Sequence, residues 1–380
     1  MFVDIHVIQT VPPSNLNRDD TGSPKSAYYG GVRRARVSSQ AWKRATRAAF
    51  AGSLHEDDLG VRTKRIVDAV VEIAKVNGTE MAEVDVAKRA TDALALVSLK
   101  AKTPTQKKKP GESAEAGGEA TAYGLTDYLV FYSRAQIAQL AELVTSGAKL
   151  NKTEVQRALE SEHGIEVALF GRMVADNKDL GVDASVQVAH ALSTHAVDDE
   201  SDYFTAVDDR GRDDDMGADM LGIIEFNSST LYRYATINIS GLAKNLGGHA
   251  DDVARAVEAF VRDFSRSMPT GKQNTFANRT VPDVVAVMVR SDQPVNLVGA
   301  FESAVVTRGA DGRVTESVKR LVDQATSVEK FVEVPTSAFV VFAGARAAEA
   351  AALGEECSSL VDLAAKVKGA VLDGIGASAS

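Results

Sequence analysis

The sequence predicts an α+β fold in which strands and helices alternate and insertions grow out of one sheet. Short runs of alternating apolar residues recur from the N-terminus to about residue 345, and segments with helical spacing lie between them. Polar stretches rich in glycine, proline and charged residues interrupt the pattern. The 380 residues, 44% of them hydrophobic, can build two or three structural units with a substantial core.

The first elements are a strand, a loop, a strand and a helix. Residues 2–8 (FVDIHVI) alternate and predict a half-buried strand with His6 on its polar face, where a packed or surface histidine is commoner than a ligand. A polar loop over 10–26 follows, then the strand GVRRARV. A helix is predicted in SSQAWKRATRAAF, with Ser38 or Ser39 as its N-cap.

Two insertions and a return to the sheet follow. Helical spacing between residues 61 and 181 predicts a helical insertion, interrupted by a polar loop at 101–120 that contains Lys107–Lys109. Two strand-like arms around the acidic tip RGRDDDMGADMLG predict a long β-hairpin. A helix over 251–266 and the strands DVVAVMVR and SAFVVFAGA complete the sheet.

Charge is strongly segregated along this acidic chain, whose formal net charge is -9. The stretch GGVRRARVSSQAWKRATR, residues 30–47, holds six cations and no acid, whereas residues 198–219 hold ten acids against two arginines. Such separation indicates one surface that meets a polyanion and others that avoid it. Accidental clustering of solvated charges is the alternative.

The basic stretch has the chemistry of a phosphate-binding surface. Strand alternation places Arg34 and Arg36 on one face, and helical spacing stacks Lys43 on Arg47. Free N–H groups at the helix N-terminus add to the attraction for an anion. Contacts of this kind hold a sugar-phosphate chain without reading its bases. The candidate phosphate ligands from this stretch are Arg34, Arg36, Ser38, Gln40, Lys43 and Arg47.

Aromatic residues precede the acidic hairpin tip in DYFTAVDD. Tyr203 and Phe204, next to Thr205, are predicted at the base of the hairpin, where they could stack on bases or wedge between them. Packing of both rings into the sheet is the alternative.

Motifs for catalysis or metal binding are scarce. The segment PTGKQNT lacks the first glycine and the hydroxyl residue of a nucleotide-binding P-loop. His190 and His195 are five residues apart, which does not place two imidazoles on one helical face. The single cysteine, Cys357, has no cysteine partner in the chain. We therefore expect no catalytic residue, no metal and no cofactor.

The strongest enzymatic alternative is the pair Asp19–Asp20, since neighbouring carboxylates can hold Mg²⁺ for phosphodiester cleavage. The adjacent Arg18 makes a turn with salt bridges an equally good interpretation. The absence of a signal-peptide pattern and of a long apolar run leads us to expect a cytoplasmic protein without a membrane span.

Several ordered blocks resemble the backbone subunit of the type I-E CRISPR surveillance complex Cascade, the CasC family. These blocks cover most of the chain and fade at 101–120 and after about residue 345. They are VDIHVIQT, LNRDD, GGVRRARVSSQAWKRATR, ALFGRM, AHALSTHAVDDESDYFTAVDD, IIEFNSSTLYRYATINI, NLGG and GKQNTFA.

The resemblance implies a hand-shaped α+β protein whose palm is ferredoxin-like, as in an RNA-recognition motif. Its parts would be palm at 1–58, 182–193 and 231–380, helical fingers at 59–181 and a β-hairpin thumb at 194–230. Family members stack along a CRISPR guide RNA (crRNA), and each thumb kinks the guide held by its neighbour. The partners implied are guide RNA, further copies of the chain, other Cascade subunits and, through the guide, target DNA.

The resemblance also assigns roles to residues in an antiviral ribonucleoprotein complex. Met173 of ALFGRM would pack on guide bases, and Tyr203, Phe204 and Thr205 would lie at the kink. Tyr203 stands where tryptophan is also typical of the family, and the acidic tip at Asp213–Asp215 departs from the family pattern. The guide phosphates would be held by Arg18, Lys25, Ser38, Gln40, Lys43 and Arg47.

Three functional hypotheses follow. The leading one is a non-catalytic RNA-binding scaffold that forms a helical filament along the guide. The second is a metal-dependent ribonuclease of a related CRISPR effector complex that uses Asp19 and Asp20. The third is a small-molecule or protein-binding α+β domain whose basic residues only form salt bridges.

Overall fold

A computed structural model describes residues 1–102, 123–174, 177–206, 220–307 and 312–379. Lys107–Lys109 and the acidic tip at Asp213–Asp215 lie outside these ranges. The strands are β1 Phe2–Ser14, β2 Ser26–Tyr29, β3 Val32–Val37, β4 Gly60–Thr63, β5 Ala101–Lys102, β6 Leu125–Thr126, β7 Val130–Ser133, β8 Val186–Val188, β9 Ala191–Ser193, β10 Glu200–Ala206, β11 Met220–Asn238, β12 Val284–Arg290, β13 Ser337–Phe342 and β14 Glu355–Glu356.

Helices alternate with these strands, as the periodicity of the sequence predicts. They are α1 Ser39–Phe50, α2 Ile66–Val76, α3 Glu83–Leu96, α4 Arg134–Thr145, α5 Lys152–Glu160, α6 Ile165–Phe170, α7 Ile239–Asn245, α8 Ala250–Arg266, α9 Gln273–Phe276, α10 Arg313–Val328 and α11 Leu360–Ala379. Short 3-10 helices cover Glu56–Asp58, Lys178–Leu180, Leu297–Phe301 and Ala345–Leu353.

A mixed sheet of ten strands forms the centre of the first unit and confirms the predicted α+β class. Its main path runs β14-β13-β12-β1-β11-β9-β3-β2, and β8 and β10 also pair with β11. All of its pairs are antiparallel except β13–β14. In β1, Ile5 lies opposite Ala235 of β11 and Val287 of β12, so β1 is an interior strand.

The expectation that β1 is half-buried is wrong, because both faces of the sheet are covered. On one face, Trp42 of α1 stacks on the buried Arg233 guanidinium of β11, with the carbon Cζ 3.7 Å from the ring centroid. On the other face, Phe301 and Leu321, from a 3-10 helix and α10, belong to the same apolar cluster as Ile8. His6 is therefore fully buried.

The described residues divide into two compact units. The first comprises Met1–Ser53, Val186–Ile239 and Ala254–Ser380 and contains the sheet. The second comprises Leu54–Ser185 and Ser240–Val253. Its core is built from apolar residues of α2, α3, α4 and α5. The segment Ser240–Val253, which the sequence led us to place in the palm, belongs with this helical unit.

No helix in the described part of the chain is long and apolar enough to cross a membrane.

Candidate nucleic-acid interface

The N-terminus of α1 is fixed by three polar contacts. Ser38 is the N-cap, as predicted, and its Oγ accepts a hydrogen bond from the Ala41 N–H at 3.3 Å. Asn17 Oδ1 accepts from the Ser38 N–H, and His190 Nδ1 accepts from the Ser39 N–H, each at 2.9 Å. Because Ser38 is buried and occupied as a cap, its structural role is to orient the helix end, and a phosphate contact from its hydroxyl stays a prediction.

Two of the predicted cations lie beside this helix end. The Lys25 N–H donates to Asn17 O at 2.8 Å, and the Arg36 N–H donates to Lys25 O at 2.9 Å. These backbone hydrogen bonds attach the loop between β1 and β2 to β3. Burial lowers the pKa of His190, and the positive charges of Arg36 and Lys25 lower it further. Arg36 is two residues before the N-cap Ser38, and Lys25 is hydrogen-bonded to Arg36 through the backbone, so both cations lie near the start of α1. Sequence reasoning considered His190 only as a metal ligand and missed this position.

Further predicted residues follow along α1. Trp42, Thr46 and Phe50 are buried on one side of the helix, and Gln40 is exposed. Lys43 and Arg47, both half-buried, are one turn apart, about 6 Å along the helix axis. Burial lowers the pKa of Lys43.

We call Arg18, Lys25, Arg36, Gln40, Lys43 and Arg47 the guide surface. Arg18 is exposed and forms a β-bridge with Pro24, the residue before Lys25. Within the described ranges, Lys25, Arg36 and Lys43 form no ion pair with a carboxylate. These three cations, which have no carboxylate partner in the described part of the chain and lie near a helix N-terminus, can bind a sugar-phosphate chain.

The prediction for Arg34 is wrong. Its side chain is fully buried, and its guanidinium donates to the carbonyl oxygens of Tyr29 at 3.2 Å and Ser193 at 3.0 Å. It also donates to the carbonyl oxygens of Phe301 at 2.9 Å and Glu302 at 3.1 Å. Carbonyl oxygens thus take four of the five N–H donors of the guanidinium. Arg34 therefore ties β3 to the 3-10 helix that covers the sheet and presents nothing to a phosphate.

The aromatic residues lie on a two-stranded hairpin formed by β10 and β11. Tyr203 pairs with Ile223, and Phe204 pairs with Gly222. They lie in the middle of β10, not at its base, where Glu200 pairs with Phe226. The described pairs Glu200–Phe226 to Ala206–Met220 confirm that the two arms form an antiparallel hairpin.

Alternation sends the two rings to opposite faces of the hairpin. Tyr203 is 61% exposed and its cross-strand partner Ile223 is 71% exposed, so together they form an apolar patch. The Phe204 ring covers Gly222 so closely that a Cβ there would collide with it. The alternative that both rings pack into the sheet core does not fit these exposures, and Thr205 is exposed as well.

Met173 lies in the second unit, and its side chain is 87% exposed. Its neighbours Arg172 and Val174 are both buried. The Arg172 guanidinium donates to Leu180 O at 2.7 Å and Leu159 O at 3.0 Å and stacks on Tyr132. The backbone on either side of Met173 is thus anchored, and a large apolar side chain is held in solvent, as a contact residue requires.

Asp19 is held in a turn. Its Oδ1 accepts hydrogen bonds from the Thr21 N–H at 2.9 Å, the Thr21 hydroxyl at 2.7 Å and the Ser23 N–H at 3.0 Å. The hydroxyl bond from Thr21, followed by the backbone bonds, lowers the Asp19 pKa. Asp20 is exposed. Among the described residues, no group of three potential metal-ligating side chains is found.

The profile of the CT1975-like protein family matches residues 3–366 of this chain. The chain is also similar to a chain of a solved "CRISPR RNA-guided surveillance complex, pre-nicking", with 33% identity, a TM-score of 0.80 and coverage of 98% of this chain and 100% of that one. A chain of another "CRISPR RNA-guided surveillance complex" has 29% identity and a TM-score of 0.70, with coverage of 97% and 100%. A comparison with curated proteins found no match.

Proposed function

Because the chain belongs to the CT1975-like protein family, we propose that it is a non-catalytic subunit of a CRISPR surveillance complex that binds the guide RNA. The similarity to chains of two CRISPR RNA-guided surveillance complexes supports this role. The finer part of the proposal is the backbone subunit of a type I-E Cascade complex in the cytoplasm. It is supported by the resemblance of the blocks at 30–47 and 189–209.

The guide surface is the observation that carries the proposal. Lys25 and Arg36 flank the N-terminus of α1, and Lys43 follows one turn later on the same helix. These groups contact phosphates irrespective of sequence, so the guide bases remain free to pair with target DNA. In the hand-shaped arrangement that we propose, the first unit, which contains the sheet, is the palm. The second unit, with its helical core, is the fingers, and the β10–β11 hairpin is the thumb.

The role of the hairpin is proposed from its two exposed faces. Copies of the chain would follow one another along the guide, and the hairpin of each copy would insert Tyr203 and Phe204 at a kink in the strand held by its neighbour. Met173 would contact bases from the fingers. Stacking of this kind is worth about 1–3 kcal/mol per base.

A non-catalytic role is supported by the hydrogen bonds that the Asp19 carboxylate accepts. Three hydrogen bonds within its own turn occupy Oδ1, and Arg18, the preceding residue, is exposed. A ribonuclease based on Asp19 and Asp20 would need these carboxylates for Mg²⁺. The alternative is therefore less well supported than the scaffold.

Replacing Lys43 and Arg47 together by alanine is expected to weaken guide binding about 10- to 100-fold, which is about 1.4–2.8 kcal/mol. Each lost phosphate contact should also reduce the slope of log affinity against log salt by about 0.7. Fluorescence anisotropy with labelled RNAs at several salt concentrations measures both quantities. The exposed pair Lys319 and Lys330, changed to alanine in the same way, is the control and should bind like the parent.

The loss should be equal for guides of unrelated sequence, because phosphates carry no sequence information. Weakening confined to one guide sequence, or affinity equal to that of the parent, would contradict the guide surface.

Changing Tyr203 to alanine is expected to leave the free energy of unfolding within about 0.5 kcal/mol, since the ring is largely exposed. It should nevertheless reduce the number of copies assembled on a long guide, because the hairpin loses its stacking surface. Mass photometry of the RNA-bound complex counts the copies. Phe331, 86% exposed outside the hairpin, gives the control variant Phe331→Ala. Equal masses for the two variants would speak against a wedge.

A further inference from the structure

A groove of about 430 Å³ lies in the sheet unit, on the flank of α1 that carries alanines. Ala45, Ala48 and Ala49 form one wall, on a side of the helix that points away from Lys43. Beneath the groove, α1 and α8 are joined by polar contacts. The hydroxyls of Thr46 and Ser267 lie 3.3 Å apart, and the Ser53 hydroxyl donates to the Asp263 carboxylate. Small side chains on α1 leave the groove open.

The opposite wall is cationic. Arg262 and Arg266, one turn apart on α8, line the groove together with Arg279 from the connection after α9. Arg262 lies 3.6 Å from the carboxylate of Asp263 and is partly neutralised by it. Arg266 and Arg279 are exposed, and neither makes an ion pair or side-chain hydrogen bond within the described ranges. Two unpaired guanidinium groups in a narrow groove can hold carboxylates or phosphates in bidentate geometry.

The chain contains an acidic segment of matching charge. The 13 residues between the ends of β10 and β11, residues 207–219, include six aspartates and two arginines. The segment is therefore strongly anionic, and like charges would make it repel phosphates. The arginine groove offers charges of the opposite sign to this segment.

The described part of the hairpin extends away from its base. β10 and β11 pair over seven positions, from Glu200–Phe226 to Ala206–Met220, so the last described pair lies about 20 Å from the hairpin base. At that base, the Phe226 ring lies 5.8 Å from Phe276, within the connection whose ends, Thr270 and Arg279, line the groove. A neighbouring copy is therefore better placed than the same copy to receive the segment.

We propose that the arginine groove binds the acidic segment 207–219 of a second copy of this chain. The inference rests on the proposed function for the presence of neighbouring copies along a guide. It adds a protein–protein contact on the side of α1 away from the guide surface. The hairpin would thus engage its neighbour twice, through its aromatic faces and through its acidic end.

The test uses a fluorescent synthetic peptide of residues 207–219 and the full chain without RNA, so it does not depend on guide binding. Anisotropy should show saturable binding to the parent. Arg266→Glu/Arg279→Glu should weaken it at least tenfold, and a peptide with all six aspartates changed to asparagine should lose binding to the same degree. The matched reversal Lys319→Glu/Lys330→Glu, outside the groove, and the guide-surface variant Lys43→Ala/Arg47→Ala should both bind the peptide like the parent.

A second measurement detects the contact between whole chains. The variant Asp213→Arg/Asp215→Arg should form at least tenfold less multi-copy complex on a long guide than the parent, and so should Arg266→Glu/Arg279→Glu. A chain that carries both pairs of changes should form an amount of complex within about threefold of the parent's. A parent that fails to bind the peptide would overturn the proposal, as would equal peptide binding by the groove variant. A groove variant that loses affinity for a short RNA as strongly as for the peptide would show that nucleic acid is the ligand. A parent protein that does not bind RNA would contradict the proposed function instead. The peptide result would not be affected by that outcome.

Discussion

Arg34→Met is expected to lower the free energy of unfolding by about 3–5 kcal/mol, because a buried charged donor is removed and its acceptors lose their partner. Four backbone carbonyl oxygens, those of Tyr29, Ser193, Phe301 and Glu302, would be left without the guanidinium. Urea denaturation monitored by circular dichroism measures the change. RNA affinity of the fraction that remains folded should stay close to that of the parent.

Arg36→Met, two residues along the same strand, is the matched variant with the opposite expectation. Arg36 is half-buried, and its Nε donates a hydrogen bond to Ser26 O at 3.2 Å, its one side-chain hydrogen bond to the described residues. Its loss should cost less than about 1 kcal/mol of stability and should weaken RNA binding about tenfold, or about 1.4 kcal/mol. A stable Arg34→Met protein with impaired RNA binding would show that Arg34, not Arg36, reaches the phosphates.

The contrast between these arginines shows where sequence reasoning succeeds. The helix α1 and its N-cap at Ser38 were predictable because capping and helical periodicity depend on neighbouring residues. The β10–β11 hairpin was predictable from its alternating arms. Most predicted guide-surface residues come from one stretch of chain, so local rules sufficed to place them.

The same local rules could not separate Arg34 from Arg36, since alternation gives both the same face. The difference comes from Phe301 and Glu302, more than 260 positions away in sequence, whose carbonyl oxygens lie over Arg34. The burial of β1 on both faces has a similar origin, because helices from distant segments cover the sheet.

The arginine groove was also beyond the reach of the sequence. Its alanines come from α1, whereas Arg266 and Arg279 belong to α8 and to a later connection. The composition of α8 and of the later connection does not single out their arginines. The groove exists only because α1 lies beside α8 and Arg279 comes close to Arg262 and Arg266.

Acidification from pH 7.5 to 5.0 is expected to lower the stability of the sheet unit by about 4 kcal/mol through two histidines, His6 and His195. Burial, reinforced by the charge of Arg290, lowers the pKa of His6 to about 3. Burial also lowers the pKa of His195 to about 4, with Arg313 and Arg34 adding to the effect and the hydrogen bond to Ala196 opposing it.

The loss of stability on acidification follows from proton uptake by the unfolded chain. Between pH 6.5 and these folded-state pKa values, the unfolded chain binds protons that the folded chain does not. The contribution of the two histidines to the free energy of unfolding is therefore complete above about pH 6.5 and decreases as the pH falls. Each histidine contributes about 2 kcal/mol of the loss at pH 5.0. Burial raises the pKa of Asp4, which acts in the opposite direction.

The structure explains why neither imidazole accepts the proton easily. The His195 Nδ1 lies 2.8 Å from Ala196 O, and Nε2 lies 3.0 Å from the Thr230 N–H, so Nε2 serves as an acceptor and its protonation would place two N–H groups against each other. His6 Nδ1 lies 2.9 Å from the Tyr232 hydroxyl, and Nε2 is buried and has no hydrogen-bond partner among the described residues.

His6→Phe separates the two contributions. The ring packs against Tyr234, with centroids 5.3 Å apart, and phenylalanine preserves that contact while it removes the titrating group. Urea denaturation of the variant at pH 7.5 and 5.0 should show a loss about 2 kcal/mol smaller than that of the parent. The exposed His249, changed to phenylalanine, should leave the parent's loss unchanged. If His6→Phe loses as much stability as the parent on acidification, the buried imidazole of His6 is not a source of the acid sensitivity.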